Sequence, residues 1–143
     1  MKQHPHRLVL ALIGCLVGCS GAAASSPAAM PIPAARADPA TLDGRSFDVT
    51  LEIPDSTPVK DTLRFDHGNF ESTACTALGF PQWSPYVVQA DSDQLAFHAL
   101  AKHPSGTTMD WKGGIKGSAV EGTANRNMSG KTDLIRFRGS LQP

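Results

Sequence analysis

The sequence carries no excess of either charge: 13 Lys and Arg stand against 13 Asp and Glu, and charged residues make up only 18% of it. Nucleic-acid binding normally shows as a basic excess, so this balance gives no ground for expecting it. Three cysteines are too few for a disulfide scaffold, and the odd number leaves at least one unpaired within the chain. No stretch keeps a helical period, and no Gly-x-Ser-x-Gly, P-loop or dinucleotide fingerprint is present. Aromatic residues are scarce at 6%, and all nine lie at or after Phe47. The first forty residues therefore do a different job from the last hundred, and 143 residues suit one domain of ordinary size.

Lys2 and Arg7 begin the chain with positive charge, and Leu8 to Val17 is apolar. A run of about ten residues is too short to cross roughly 30 Å of hydrocarbon as a helix, but it suits the apolar region of a secretory signal. It ends in Leu16-Val17-Gly18-Cys19, which resembles a bacterial lipobox. The resemblance implies a signal peptide over residues 1–18, a diacylglyceryl group on the Cys19 thiol and further acylation of the new amino terminus. Leu12-Ile13-Gly14-Cys15 is a second such tetrad, but using it would leave a signal of minimal length. One acyl chain holds a protein only marginally, whereas two or three anchor it essentially permanently. Ser20 stands where enterobacterial lipoproteins retained at the inner membrane carry aspartate, so similarity to those proteins implies the outer membrane, facing the periplasm. Loss of Lys2 and Arg7 would leave 11 basic against 13 acidic residues.

Ser20 to Ala40 holds nine Ala, four Pro, three Ser and one Gly. Such a segment has too little apolar bulk for a core, and its prolines break helices. With Cys19 it reads as a disordered tether over residues 19–40, spanning roughly 25 Å as a coil.

From Thr41 to the end the pattern is that of strands. Phe47, Val49, Leu51 and Ile53 alternate with polar neighbours, as do Leu63 and Phe65. Asp66-His67-Gly68-Asn69, Asp91-Ser92-Asp93, Gly117-Ser118 and Asn127 to Lys131 are turn signals between further apolar faces, among them Leu95-Phe97-Ala99 and Ile135-Phe137-Gly139-Leu141. Thr73–Leu78 is the one candidate for a helical turn. The expected fold is all-β: about eight antiparallel strands over residues 41–143 in an up-and-down barrel, with a β-sandwich as the alternative. Closure into a barrel would remove exposed sheet edges.

Leu42-Asp43-Gly44 with Phe47, Phe70-Glu71-Ser72, Cys75 with Gly79-Phe80, and the Trp111–Thr123 glycine-spaced hairpin resemble small lipocalin-like bacterial lipoprotein domains of unassigned function. The opening Leu42-x-Gly44-x-x-Phe47 is also similar to META-type stress lipoproteins, although no Gly-Cys-Asn follows the third strand here. Neither resemblance implies a catalytic residue or a cofactor.

Among single residues Cys75 is the most suggestive, being the one thiol left once Cys15 is removed and Cys19 lipidated. It reads as a small buried thiol under Phe80, as a redox or disulfide-forming group, or as a nucleophile activated by His67 or His98. His67, His98 and His103 lack zinc-ligand spacing, so no metal is expected. Arg64, Arg136 and Arg138 alternate with apolar residues and face outward, to form surface ion pairs or to line a pocket for an anionic ligand. Trp83 lies between Pro81 and Pro85, where it would cover an end of the core or form a rim; with Tyr86 and Trp111 it makes the aromatic set for a rim or pocket. The function expected is therefore a lipid-anchored, non-enzymatic binding module for a small apolar ligand or an envelope protein. A structural or inhibitory envelope protein is the alternative, and Cys75-dependent enzyme or redox chemistry is the least supported.

Overall fold

A computed structural model describes residues 36–143; the expected signal peptide, Cys19 and the expected tether as far as residue 35 lie outside them. The strands are β1 (Arg36–Ala37), β2 (Ser46–Glu52), β3 (Val59–Asp66), β4 (Asn69–Ser72), β5 (Ser84–Asp91), β6 (Gln94–Lys102), β7 (Thr108–Lys116), β8 (Ala119–Met128) and β9 (Lys131–Leu141). One short helix, α1 (Thr73–Ala77), follows β4, and a 3-10 turn, Pro39–Thr41, precedes β2. From β2 to β9 each strand pairs antiparallel with its successor, and β9 pairs back onto β2, which closes an eight-stranded up-and-down barrel. A single closed sheet excludes the sandwich.

Local sequence explains the strands and their joins. Phe47, Val49 and Leu51 on β2 are buried while Asp48 and Glu52 are exposed, so the period of two sorts residues between core and solvent. The His67-Gly68 turn between β3 and β4 has φ of 46° and 74°, the paired positive values of a type I′ hairpin whose twist matches its strands. Because β4 is short, it pairs only with the start of β5, through Asn69↔Pro85 and Phe70↔Ser84. β1 takes up the next stretch of that edge, through Ala37↔Val88 and Arg36↔Gln89. Among the described residues, strand pairing thus extends upstream of Thr41 to Arg36. Strand addition of this kind uses backbone groups, which Ala-Pro composition does not encode.

The barrel is filled. Phe65 sits against the rings of Phe47, Phe70, Tyr86 and Phe97 at centroid distances of 6.0, 5.4, 5.1 and 5.0 Å. Trp111 packs on Phe70 and on Phe137, each at 5.4 Å. An eight-stranded barrel is just wide enough for side chains to occupy its interior, and these do. Such offset and edge-on pairs add about 0.5–1.5 kcal/mol each beyond their area burial.

Both ends are closed. At the end carrying the β3–β4 turn, the fully buried Leu42 plugs the core. There Asp43 accepts the Gly68 N–H at 2.9 Å, and the Tyr86 hydroxyl donates to the Pro39 carbonyl at 2.5 Å with Asp43 at 3.2 Å. At the other end α1 lies over β3. The buried Asp61 carboxylate accepts from the Ala74 N–H (2.8 Å), the Thr62 N–H (2.7 Å) and the hydroxyls of Ser72 (2.6 Å) and Thr73 (2.9 Å). Asp61 therefore secures the first turn of α1, and the Ser72 hydroxyl caps it through the Cys75 N–H at 3.2 Å.

Candidate functional site

Cross-strand register places Val87, His98, Lys112, Thr123, Arg136 and Glu52 in one outward row across β5, β6, β7, β8, β9 and β2. One pleat away, Gly114, Glu121 and Arg138 form the middle of a second outward row. Between the two runs an inward row in which Phe97, Gly113, Gly122 and Phe137 are successive partners. Gly113 and Gly122 have no side chain to hold the wall out. The Phe97 and Phe137 rings occupy that space, so a Cβ on Gly113 would lie 2.5 Å from the Phe97 ring. A Cβ on Gly122 would lie 2.1 Å from the Lys112 carbonyl oxygen, so β7 and β8 approach there as only glycine permits. The wall sinks at this point into an open depression of about 840 Å³ on the outside of the barrel.

Charged side chains of both signs surround it. Arg138 pairs with Glu52 at 3.0 Å. His98 Nε2 donates to Asp110 at 2.5 Å, and Lys112 approaches the other Asp110 oxygen at 3.6 Å. A carboxylate only accepts, so His98 carries hydrogen on Nε2. Glu121 and Arg136, which also line the depression, make no ion pair or hydrogen bond with any described residue. Exposed pairs of this sort contribute about 0–1 kcal/mol each. Their effect is to hold long side chains in place around the depression rather than to stabilise the barrel. A second, smaller depression of about 610 Å³ lies over β2 and β3. Its polar groups largely satisfy one another, with Asp48 accepting from Thr62 at 3.1 Å and from Gln142 at 2.7 Å.

The remaining candidates are dispersed. Cys75 faces inward from α1 at 6% exposure, and burial pushes its thiol up to about 11, which leaves scarcely any thiolate at neutral pH. His67 sits on the β3–β4 turn at the far end of the barrel, bonded to Asp66 at 2.7 Å. That bond and the Asp66 charge raise the His67 pKa. His98 is held by Asp110 on the outer wall, so neither histidine is placed to activate Cys75. His103 accepts the Ser105 N–H through Nδ1 at 3.0 Å and packs edge-on against Phe80 at 5.1 Å.

The aromatic set divides. Trp111 is wholly buried and Tyr86 nearly so, and both belong to the core, not to a rim. The Tyr86 hydroxyl pKa is raised, first by burial and then by the Asp43 charge. Trp83 is half-buried on the wall with the Arg64 guanidinium 5.6 Å from its ring centre. Arg64 also pairs with the buried Glu71 at 3.1 Å. Of the outward arginines, only Arg136 and Arg138 come together at the depression.

Asp61 and Glu121 went unnoticed in the sequence, and Glu71 stood out only as part of Phe70-Glu71-Ser72. Asp61 left a signal, a carboxylate in the apolar register that continues through Leu63 and Phe65. Glu121 left none, because its neighbours in the depression come from distant strands. No group of three metal-ligating side chains gathers among the described residues, and none of their helices is long and apolar enough to cross a membrane.

These residues define a closed antiparallel β-barrel with a solid core and a charged depression in its outer wall. No protein-family model matches the chain, and neither curated proteins nor solved structures yield a match.

Proposed function

We propose that this protein is a non-enzymatic binding module of the bacterial cell envelope, anchored by acyl chains on Cys19 and engaging an envelope protein through the outer wall of its barrel. One observation carries the choice of surface: rings fill the interior, while the β5–β2 wall sinks into a depression with charged sides. An apolar ligand inside the barrel would have to displace packed aromatic side chains, each contributing about 1.5–3 kcal/mol by its burial. The lipobox-like Leu16-Val17-Gly18-Cys19 supports the anchor, and Ser20 supports outer-membrane residence with the barrel in the periplasm. The buried, protonated Cys75 favours binding over thiol chemistry.

The test is site-specific photo-crosslinking in living cells. A photoreactive residue at Thr123, in the depression, should give one discrete protein adduct, and the same residue at Asp55, in the β2–β3 loop, should give none. Identical adducts from both positions, or none from Thr123, would remove the outer wall from consideration. Mass spectrometry of the mature amino terminus tests the anchor separately, since an unmodified Cys19 contradicts it.

A further inference from the structure

Six ionisable side chains line the outer-wall depression, and four are committed: Glu52 to Arg138, and both His98 and Lys112 to Asp110. The two left over have opposite signs. Glu121 and Arg136 make no ion pair or hydrogen bond with any described residue, although register makes them diagonal neighbours on β8 and β9. Glu121 lies opposite Arg138, and Arg136 lies opposite Thr123. Diagonal positions of this kind are roughly 7–8 Å apart. Gly114 raises no side chain into the space, and the backbone of Gly122 forms part of its floor.

From this we infer that the depression receives a short zwitterionic peptide unit of dipeptide length, its carboxylate on Arg136 and its ammonium on Glu121. The inference rests on the reading that the outer-wall depression is the binding face. Length follows from the strand positions: an extended chain covers about 3.3–3.6 Å per residue, so a dipeptide matches the roughly 7–8 Å between the backbone positions that carry Glu121 and Arg136. Sign follows from the same two residues, since a guanidinium presents paired donors to a carboxylate and a carboxylate accepts from an ammonium. The Thr123 hydroxyl, directly across from Arg136, stands beside the carboxylate end. A ligand with only one charge leaves the opposite residue to solvent.

The experiment titrates the full-length chain with three probes: alanylalanine with free termini, its N-acetyl form and its C-terminal amide. Binding is read from backbone amide shifts at Glu121, Gly122 and Thr123. The free dipeptide should bind about two- to fivefold more tightly than either capped form, the range that one exposed ion pair supplies. Arg136→Gln should erase the penalty of amidation while leaving that of acetylation, and Glu121→Gln should do the reverse. Both are exposed positions, so the variants keep the fold.

Equal binding of the three probes, penalties that survive in the variants, or no saturable binding of the free dipeptide up to about 10 mM each overturn the inference. If the Thr123 photo-adduct forms while the dipeptide fails, the inference falls and the outer-wall reading stands. If neither is seen, both fall.

Discussion

Replacing Gly122 by alanine is the sharpest test of how the barrel wall is built. In most strands that change is mildly favourable, because glycine costs roughly 0.5–1 kcal/mol relative to alanine. Here the added methyl would sit 2.1 Å from the Lys112 carbonyl oxygen and 2.6 Å from the Gly113 Cα, both backbone atoms that cannot turn aside. Relief requires β8 to move off β7 by about an ångström, or the Phe137 ring, 2.7 Å away, to leave its place between Phe97 and Trp111. Overpacking of a filled core costs about 1–3 kcal/mol, and a backbone clash belongs at the upper end of that range. The clash therefore outweighs the propensity gain, for a net loss of about 2 kcal/mol, or roughly 8–16 °C in Tm for a domain of this size. Gly114→Ala is the internal control: its methyl would meet only the far end of the Gln94 side chain, at 3.3 Å, so it should change stability by less than about 0.5 kcal/mol. Urea unfolding followed by tryptophan fluorescence measures both. If Gly122→Ala is as stable as Gly114→Ala, the account of the sunken wall is wrong.

Asp61→Ala strips the acceptor from four donors at one end of the barrel and should cost about 3–5 kcal/mol by urea unfolding, with Asp61→Asn milder; a loss under about 1 kcal/mol would mean that α1 is held by other contacts. The Arg126 side chain, bonded to Asp133 at 2.7 Å, holds that carboxyl below its ordinary range. Its contribution is therefore present above the unfolded value of about 3.9 and is lost as pH falls through the folded value. The gap in urea midpoint between wild type and Asp133→Asn should accordingly shrink between pH 7 and about pH 2.5, and a constant gap would refute the linkage. Cys75, with its thiol near 11, is about one part in a thousand thiolate at pH 8, so iodoacetamide should label the folded protein slowly and denaturant should speed it; fast native labelling would show that α1 opens readily.

Much of the barrel can be read along the chain because its neighbours in space are neighbours in sequence. The alternation Phe47-Val49-Leu51 marks β2, and the His67-Gly68 turn marks the hairpin that follows β3, since both depend on local sterics alone. The helical turn expected over Thr73–Leu78 appears as Thr73–Ala77, its start set by the hydroxyl of Ser72. β1 was hidden because backbone pairing onto β5 leaves no mark in composition. Tyr86 and Trp111 stood with Trp83 as candidates for a rim or pocket. Burial came instead from the register, which turns both toward a core that Phe65 and Phe70 centre. The outward face of Arg136 and Arg138 follows from alternation with Ile135 and Phe137. Their meeting with Glu121 and Glu52 does not, because it depends on β9 lying between β8 and β2.

Composition and local pattern are enough to establish an amino-terminal segment free of aromatics, a balanced charge and a run of short alternating strands joined by tight turns. Those are properties of composition and of periods two residues long, which need no knowledge of what lies across the sheet. Long-range pairing alone settled that the strands close, that every aromatic residue but Trp83 is buried in the core, and that the wall sinks at Gly113 and Gly122. Closure joins β9 to β2 across some ninety residues of chain, and the balanced charge becomes local there. Glu52 satisfies Arg138, and one free carboxylate and one free guanidinium remain above a glycine floor.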